Sequence, residues 1–279
     1  MSATAAPTKP RKRRAKRAPA ETAFTPEDIQ ALEESLERLR NLDLPEEDGE
    51  PLESDYHVMQ IPLLDELVRL HLGNTNDYFC SGNMFIYYSL EQAQEVIGYV
   101  KERNPREPRY KGPDFFLVKG VDGSKERGKW VVWEEGGKYP DLIIEVISPS
   151  TAAKDKDQNP ELYAKVFHTP EYFWYDQRKG ELQGYRLVGD EYQPIEPNER
   201  GWLWSEVLDA YLGVWEGEWR QRRRKWLRLF DREGNLVPTE SERAAQARQH
   251  AEQERQRAQQ AEAELERLKA RLREMGIEP

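Results

Sequence analysis

Two acidic residues stand where acids are costly. Glu145 interrupts Leu142-Ile143-Ile144-Glu145-Val146-Ile147, a run otherwise apolar enough for a central strand covered on both faces. An ionised carboxylate there needs a partner. Upstream, Gly112-Pro113-Asp114 heads a second apolar run, Phe115-Phe116-Leu117-Val118. An Asp at the head of one strand and a Glu inside its neighbour can converge, and convergent oxygens suit a hard divalent cation such as Mg²⁺. Such an ion polarises a phosphate and lowers the pKa of a water that attacks it. The plainer reading puts Asp114 in a turn and pairs Glu145 with a buried arginine.

The remaining candidates are weaker. Asp141 shares a strand face with Glu145 but lies about 13 Å away at 3.3 Å per residue, so it reads as a strand-start residue. His57 and His71 fall on one helix, as core or partly exposed histidines. No HExxH motif, cysteine pair or Gly-rich phosphate loop is present. Trp219-Arg220-Gln221-Arg222-Arg223-Arg224-Lys225-Trp226 is a cationic turn between two aromatic strand-like pieces. It is either a solvated hairpin tip or a grip on a phosphate backbone through Arg222, Arg223, Arg224 and Lys225. Trp174, Tyr185, Trp202 and Trp204 alternate with polar residues, as sheet packing does.

The elements that must hold these residues are legible in outline. Thr25-Pro26-Glu27-Asp28 opens an amphipathic helix carrying Ile29, Leu32, Leu36 and Leu39. Residues 43–53 are acidic and broken by proline and glycine, as a linker is. Ser54 and Asp55 are cap candidates for a helix with Ile61, Leu64, Leu67, Val68 and His71 on one face. Strand-like runs follow at 83–88, 114–119, 129–134, 141–147, 171–176 and 182–187, with a helix over 160–168 between the fourth and fifth. That order predicts a mixed sheet flanked by helices, in the α/β or α+β range.

Composition narrows the function classes. The 279 residues hold one cysteine, Cys80, which excludes an internal disulfide framework and a Cys-rich zinc site. No apolar stretch approaches the roughly 20 residues of a membrane helix, and the basic N-terminus has no apolar run after it, so no secretory signal is expected. A cytoplasmic protein with no membrane partner is expected. The net charge is −10, yet residues 1–20 carry seven Lys and Arg and no acid, which leaves −17 for the rest. That tail has nothing to bury and reads as disordered, either solubilising or a phosphate-binding arm. The acidic body excludes a protein that wraps nucleic acid over its whole surface.

Positions 244, 247, 251, 254, 258, 261, 265, 268, 272 and 275 repeat in steps of three and four, with Ala, Leu and Met on the seam and Glu254 within it. This heptad pattern predicts a coiled coil, a helix over 239–279 and a homo-oligomer formed through residues 244–275.

The segment Pro140-Asp141-Leu142-Ile143-Ile144-Glu145-Val146-Ile147-Ser148-Pro149-Ser150-Thr151, followed by Asp155, Tyr163 and Thr169-Pro170-Glu171-Tyr172-Phe173-Trp174, resembles the Uma family of bacterial putative restriction endonucleases. That family lies in the PD-(D/E)XK nuclease superfamily. The resemblance runs from about Pro51 to Pro238 and implies a restriction-endonuclease-like mixed sheet over a domain spanning 21–238, with a helical lead-in. It further implies Mg²⁺-dependent (Mn²⁺ possible) hydrolysis of DNA phosphodiester bonds. Asp114 and Glu145 would be the metal ligands, with the Val146 carbonyl beside them and Glu53 the nearest candidate for a helper acid. The superfamily lysine two residues after the Glu is Ile147 here. Where family members supply one from the next helix, this chain has Asn159. In Asn159-Pro160-Glu161 the Asn reads as a helix cap. Lys154 and Lys156 then precede the helix and Lys165 lies inside it, so Lys156 is the substitute expected to hold the attacking water. Loss of that lysine defines the alternative: a catalytically impaired nuclease fold serving as a binding or assembly module.

Overall fold

The computed structural model describes residues 26–44, 55–73, 75–101, 110, 112–147 and 159–276. The basic tail, most of the acidic linker, Glu53, Lys154 and Lys156 lie outside these residues. Helix α1 (Pro26–Arg40) belongs to a unit that ends at Asp43, and a second unit starts at Leu44. Everything below concerns that second unit.

Helix α2 (Asp55–Leu72) buries Ile61, Leu64, Leu67 and Val68, the face its spacing predicts. Strand β1 (Tyr78–Gly82), strand β2 (Ile86–Tyr87) and helix α3 (Leu90–Val100) follow. The strand expected at 83–88 shrinks to two residues. Asn83 takes φ 50° and turns the chain between β1 and β2. Helix α3 is an addition to the expected elements; Ser89 caps it by accepting from the Gln92 N–H at 3.1 Å.

Strands β3 (Phe115–Lys119), β4 (Trp130–Val131) and β5 (Leu142–Val146) come next. Helix α4 (Asn159–Leu162) runs into a π-helical turn, Tyr163–Phe167. It leads to β6 (Glu171–Asp176), β7 (Glu181–Val188) and β8 (Glu191–Pro194). The remainder is β9 (Leu203–Ser205), β10 (Ala210–Trp219), β11 (Arg222–Phe230) and the long helix α5 (Glu240–Glu274).

Six strands form one sheet in the order β1-β3-β5-β6-β7-β8. Only β5 and β6 are parallel in it, joined by the crossover that contains α4; the other neighbours are antiparallel. All five residues of β5 are buried, as its apolar sequence predicts for a central strand. Strands β9, β10 and β11 make a second sheet, and β2 pairs with β4.

The pleat sorts side chains onto two cores. On one face Phe115, Leu117, Leu142, Ile144, Phe173 and Tyr175 pack with α2 and the β9–β11 sheet. On the other Phe116, Ile143, Tyr172 and Trp174 pack with Tyr163, Phe167, Tyr110 and Trp130. Glu145, one residue on from Ile144, belongs to this second face.

Helix α5 leaves the body through a built root. Thr239 and Glu242 form a reciprocal capping box. Glu242 also takes both terminal nitrogens of Arg228, at 3.1 and 2.7 Å, and Arg228 is fully buried on β11. Beyond that root no residue of α5 is buried.

Candidate functional site

Strand pairing brings the two acids together. Phe115 pairs with Ile144 across β3 and β5, so Asp114 and Glu145 occupy the next rung. Each carboxylate holds the other strand's main chain. Glu145 Oε2 accepts from the Asp114 N–H at 3.0 Å, and Asp114 Oδ2 accepts from the Val146 N–H at 2.7 Å. Glu145 is only 3% exposed.

The crossover supplies further partners of Glu145. Tyr163 Oη donates to Oε1 at 2.5 Å, and Asn159 Nδ2 reaches the same oxygen at 3.5 Å. The two residues are one helical turn apart, so a single face of the helix addresses the carboxylate. Burial and then the charge of Glu145 push the Tyr163 phenol well above its ordinary pKa, so it stays a donor. The same two causes raise Tyr110, whose ring sits 5.9 Å from that of Tyr163.

Asn159 therefore differs from its expected role. It is buried and is the first residue of α4, and its amide turns inward to Glu145. The position at which the resemblance implies a lysine thus faces Glu145.

Close backbone packing fixes Asp114. A Cβ on Gly82 would lie 2.3 Å from the Asp114 carbonyl oxygen and equally near Ile61 Cγ2, and one on Gly112 would lie 2.0 Å from the Met84 carbonyl oxygen. Only glycine permits these approaches, so Gly82 and Gly112 position the acid without touching its carboxylate. No local sequence signal marks Gly82, because its need is set by a strand distant in the chain.

Other candidates fall elsewhere. Asp141 accepts from the Lys119 N–H at 2.6 Å at the opposite end of β5, a strand-start role. His71 Nε2 lies 3.1 Å from the Leu208 carbonyl oxygen, which it meets with an N–H. Lys165 pairs with Glu161 at 2.7 Å and is exposed.

The cationic turn is a two-residue hairpin between β10 and β11, with Arg220 at φ 48° and Gln221 at φ 63°. Such a turn favours Asn-Gly, and two ordinary side chains in left-handed backbone carry strain. Arg222 and Arg224 fold back onto Asp55 of α2, Arg222 at 3.1 Å. Lys225 Nζ donates to the Lys179 carbonyl at 3.0 Å, and Arg223 lies toward the exposed end of the hairpin. The Lys225 bond places the tip beside the β6–β7 turn, which carries Arg178 and Lys179. That turn lies at the end of the sheet where β5 delivers Glu145, since the Ile147 N–H bonds the Tyr175 carbonyl at 2.8 Å. The tip approaches from the opposite sheet face.

The described donors near this end of β5 are carboxylate and carbonyl oxygen, which suit a hard divalent cation. Among the described residues no third His, Cys, Asp or Glu side chain completes a metal-holding group.

No curated protein matches the chain. A scan against protein-family models matches residues 51–216 to Uma2, described as putative restriction endonuclease. The matched span stops inside β10, short of the Pro238 that the sequence suggested, and leaves β11 and α5 outside it. It includes Asp114, Glu145, Asn159 and Tyr163. Since it covers more than half of the 279 residues, the chain belongs to the Uma2 family of putative restriction endonucleases, and its mixed sheet is a restriction-endonuclease-like fold.

Proposed function

We propose that the protein is a divalent-metal-dependent nuclease that hydrolyses phosphodiester bonds of DNA. One observation carries the reading: Asp114 and Glu145 meet on one rung at one sheet end, each bound to the other's strand, in a chain of a nuclease family. Asp114, Glu145 and the Val146 carbonyl would hold Mg²⁺ or Mn²⁺. When bound, such an ion polarises the phosphate and lowers the pKa of water. The protein's own groups set the stage. Tyr163 and Asn159 fix the Oε1 edge of Glu145, and the Val146 N–H fixes Asp114. Lys156, in the segment leading to Asn159, is assigned to the attacking water.

Arg223 and Lys225 on the strained tip, with Arg178 and Lys179 beside it, would track the phosphate backbone. Packed sheets lie about 10 Å apart, comparable to the major groove at about 12 Å, so one duplex can meet both layers. The free, buried Cys80 suits a reducing, cytoplasmic setting.

A second reading rests on Asn159. An amide there cannot supply the cation that the resemblance implies at this position, and a water-positioning lysine is worth orders of magnitude in rate. On that reading the fold binds but barely cuts. Cleavage of plasmid DNA in Mg²⁺ or Mn²⁺ by wild type, Glu145→Gln and Asn159→Lys separates the two. The nuclease reading requires activity in wild type that Glu145→Gln removes. An inert wild type, with cleavage in Asn159→Lys, establishes the second.

A further inference from the structure

We propose that α5 docks a second copy of this chain in parallel through its C-terminal half, while its N-terminal half stays unpaired as a spacer. The proposal is independent of whether the protein cuts DNA. Leu265 and Leu268 are 51% and 52% exposed on a helix with no buried residue, and Met275, which caps that helix, is 59% exposed. With Leu272 they occupy successive seam positions of the heptad, so an apolar stripe runs over the last three turns, and none of the described residues of the same chain buries it. Aligning two copies in parallel sets each of these residues against its own counterpart. Antiparallel pairing centred between Leu268 and Leu272 would also match apolar with apolar, Leu265 against Met275 and Leu268 against Leu272, so the seam alone does not select the orientation.

Charges flanking the seam favour the parallel pair. In a parallel pair a flanking residue meets the partner's residue five further on. Arg257 then faces Glu262 of the partner subunit, and Glu264 faces Lys269 of the partner subunit. Within one chain Arg257 and Lys269 make exposed ion pairs, to Glu254 and Glu266 at 2.8 Å each, which exchange at little cost. The same rule works against closure nearer the body. Arg243 would face Arg248 of the partner subunit, and His250 would face Arg255 of the partner subunit, over a seam of Ala247, Ala251 and Glu254. The helix thus has a sticky end and a repelling stem. At 1.5 Å per residue the stem from Arg243 to Gln256 is about 20 Å long.

The root makes the stem transmit geometry, because Arg228 and the capping box tie the first turn of α5 to β11.

Sedimentation of the full chain over a wide concentration range tests this. Wild type should pass reversibly from one chain to two as concentration rises. Leu268→Glu should remain a single chain with unchanged circular dichroism, since that side chain is half exposed on a helix that buries nothing. Ala251→Glu should dimerise as wild type does. Met275→Cys adds a thiol where the only native one, Cys80, is buried, and should cross-link two copies on mild oxidation. A wild type that is monomeric throughout, a dimer that survives Leu268→Glu, one lost in Ala251→Glu, or a Met275→Cys dimer that does not cross-link would each overturn the proposal.

Discussion

Asp114 and Glu145 are tied by an exchange of main-chain hydrogen bonds: the Glu145 carboxylate takes the Asp114 N–H and the Asp114 carboxylate takes the Val146 N–H, at 3.0 and 2.7 Å. The acids thus brace one end of the β3–β5 pair. Asp114→Ala takes this acceptor from the N–H of Val146, itself 1% exposed, at about 1–3 kcal/mol. Asp114→Asn keeps an acceptor and should unfold within about 0.5 kcal/mol of wild type. Both variants should lose metal-dependent cleavage. Urea unfolding beside a plasmid assay checks this, and full activity in Asp114→Asn would remove the residue from the chemistry.

The Tyr163 hydroxyl restrains the same carboxylate. Tyr163→Phe removes the shorter of the two helix-borne hydrogen bonds to Oε1, and should cost about 1.5–3 kcal/mol, as hydrogen bonds to charge do. Tyr110, Tyr163, Tyr175 and Tyr192 all have phenols raised above the usual value, with burial the largest cause. The folded state therefore holds these protons more tightly than the unfolded chain. Their contribution is whole below about pH 10 and is lost as pH climbs beyond it. Unfolding midpoints measured from neutral to strongly alkaline pH should fall above about pH 10, and less steeply in Tyr163→Phe.

Much of the site is legible in the chain because a charged residue inside an apolar strand is a local anomaly. Glu145 stands out in that way, and Asp114 does so at the head of its own apolar run. Asn159 does not. Asn-Pro-Glu is good local chemistry for starting a helix, and nothing local distinguishes a capping amide from one turned toward a strand fourteen residues earlier. Tyr163 is one aromatic among many, and the need for glycine at 82 comes from the Asp114 carbonyl. Strand β1 is hidden because the apolar run over 83–88 reads as the strand itself, whereas left-handed Asn83 ends β1 just before that run begins.

Glu242 anchors α5 by neutralising a fully buried Arg228. Burial pushes its carboxyl up, but the hydrogen bonds from Arg228 and Thr239 outweigh burial and hold it below the ordinary value. Its stabilisation is present above the unfolded pKa near 4.3 and lost as pH falls through the folded one. Glu242→Ala leaves the arginine without its counter-charge and should cost about 3 kcal/mol, read by urea unfolding at neutral pH. The penalty should shrink in acid, where wild type has already given up the pair.

The cationic tip can be tested apart from chemistry. Arg223→Glu and Lys225→Glu should weaken DNA binding across all sequences and reduce the salt dependence of log K by about one unit for each phosphate no longer neutralised. Fluorescence anisotropy at several salt concentrations in Ca²⁺ reads this without cleavage. Unchanged slopes would confine the tip to holding Asp55 and the β6–β7 turn.

The π-helical turn Tyr163–Phe167 gives the crossover a one-residue surplus over ordinary helical winding. At its start Tyr163 keeps phase with Asn159 toward the Glu145 carboxylate; at its end Phe167 keys into the rings of Tyr88, Tyr110 and Tyr139. The surplus works as a slip joint between acid-facing and aromatic-facing halves. Deleting one residue there would leave the first half seated and swing the second by about 100°, so damage from insertions or deletions would reach the aromatic cluster before the acids.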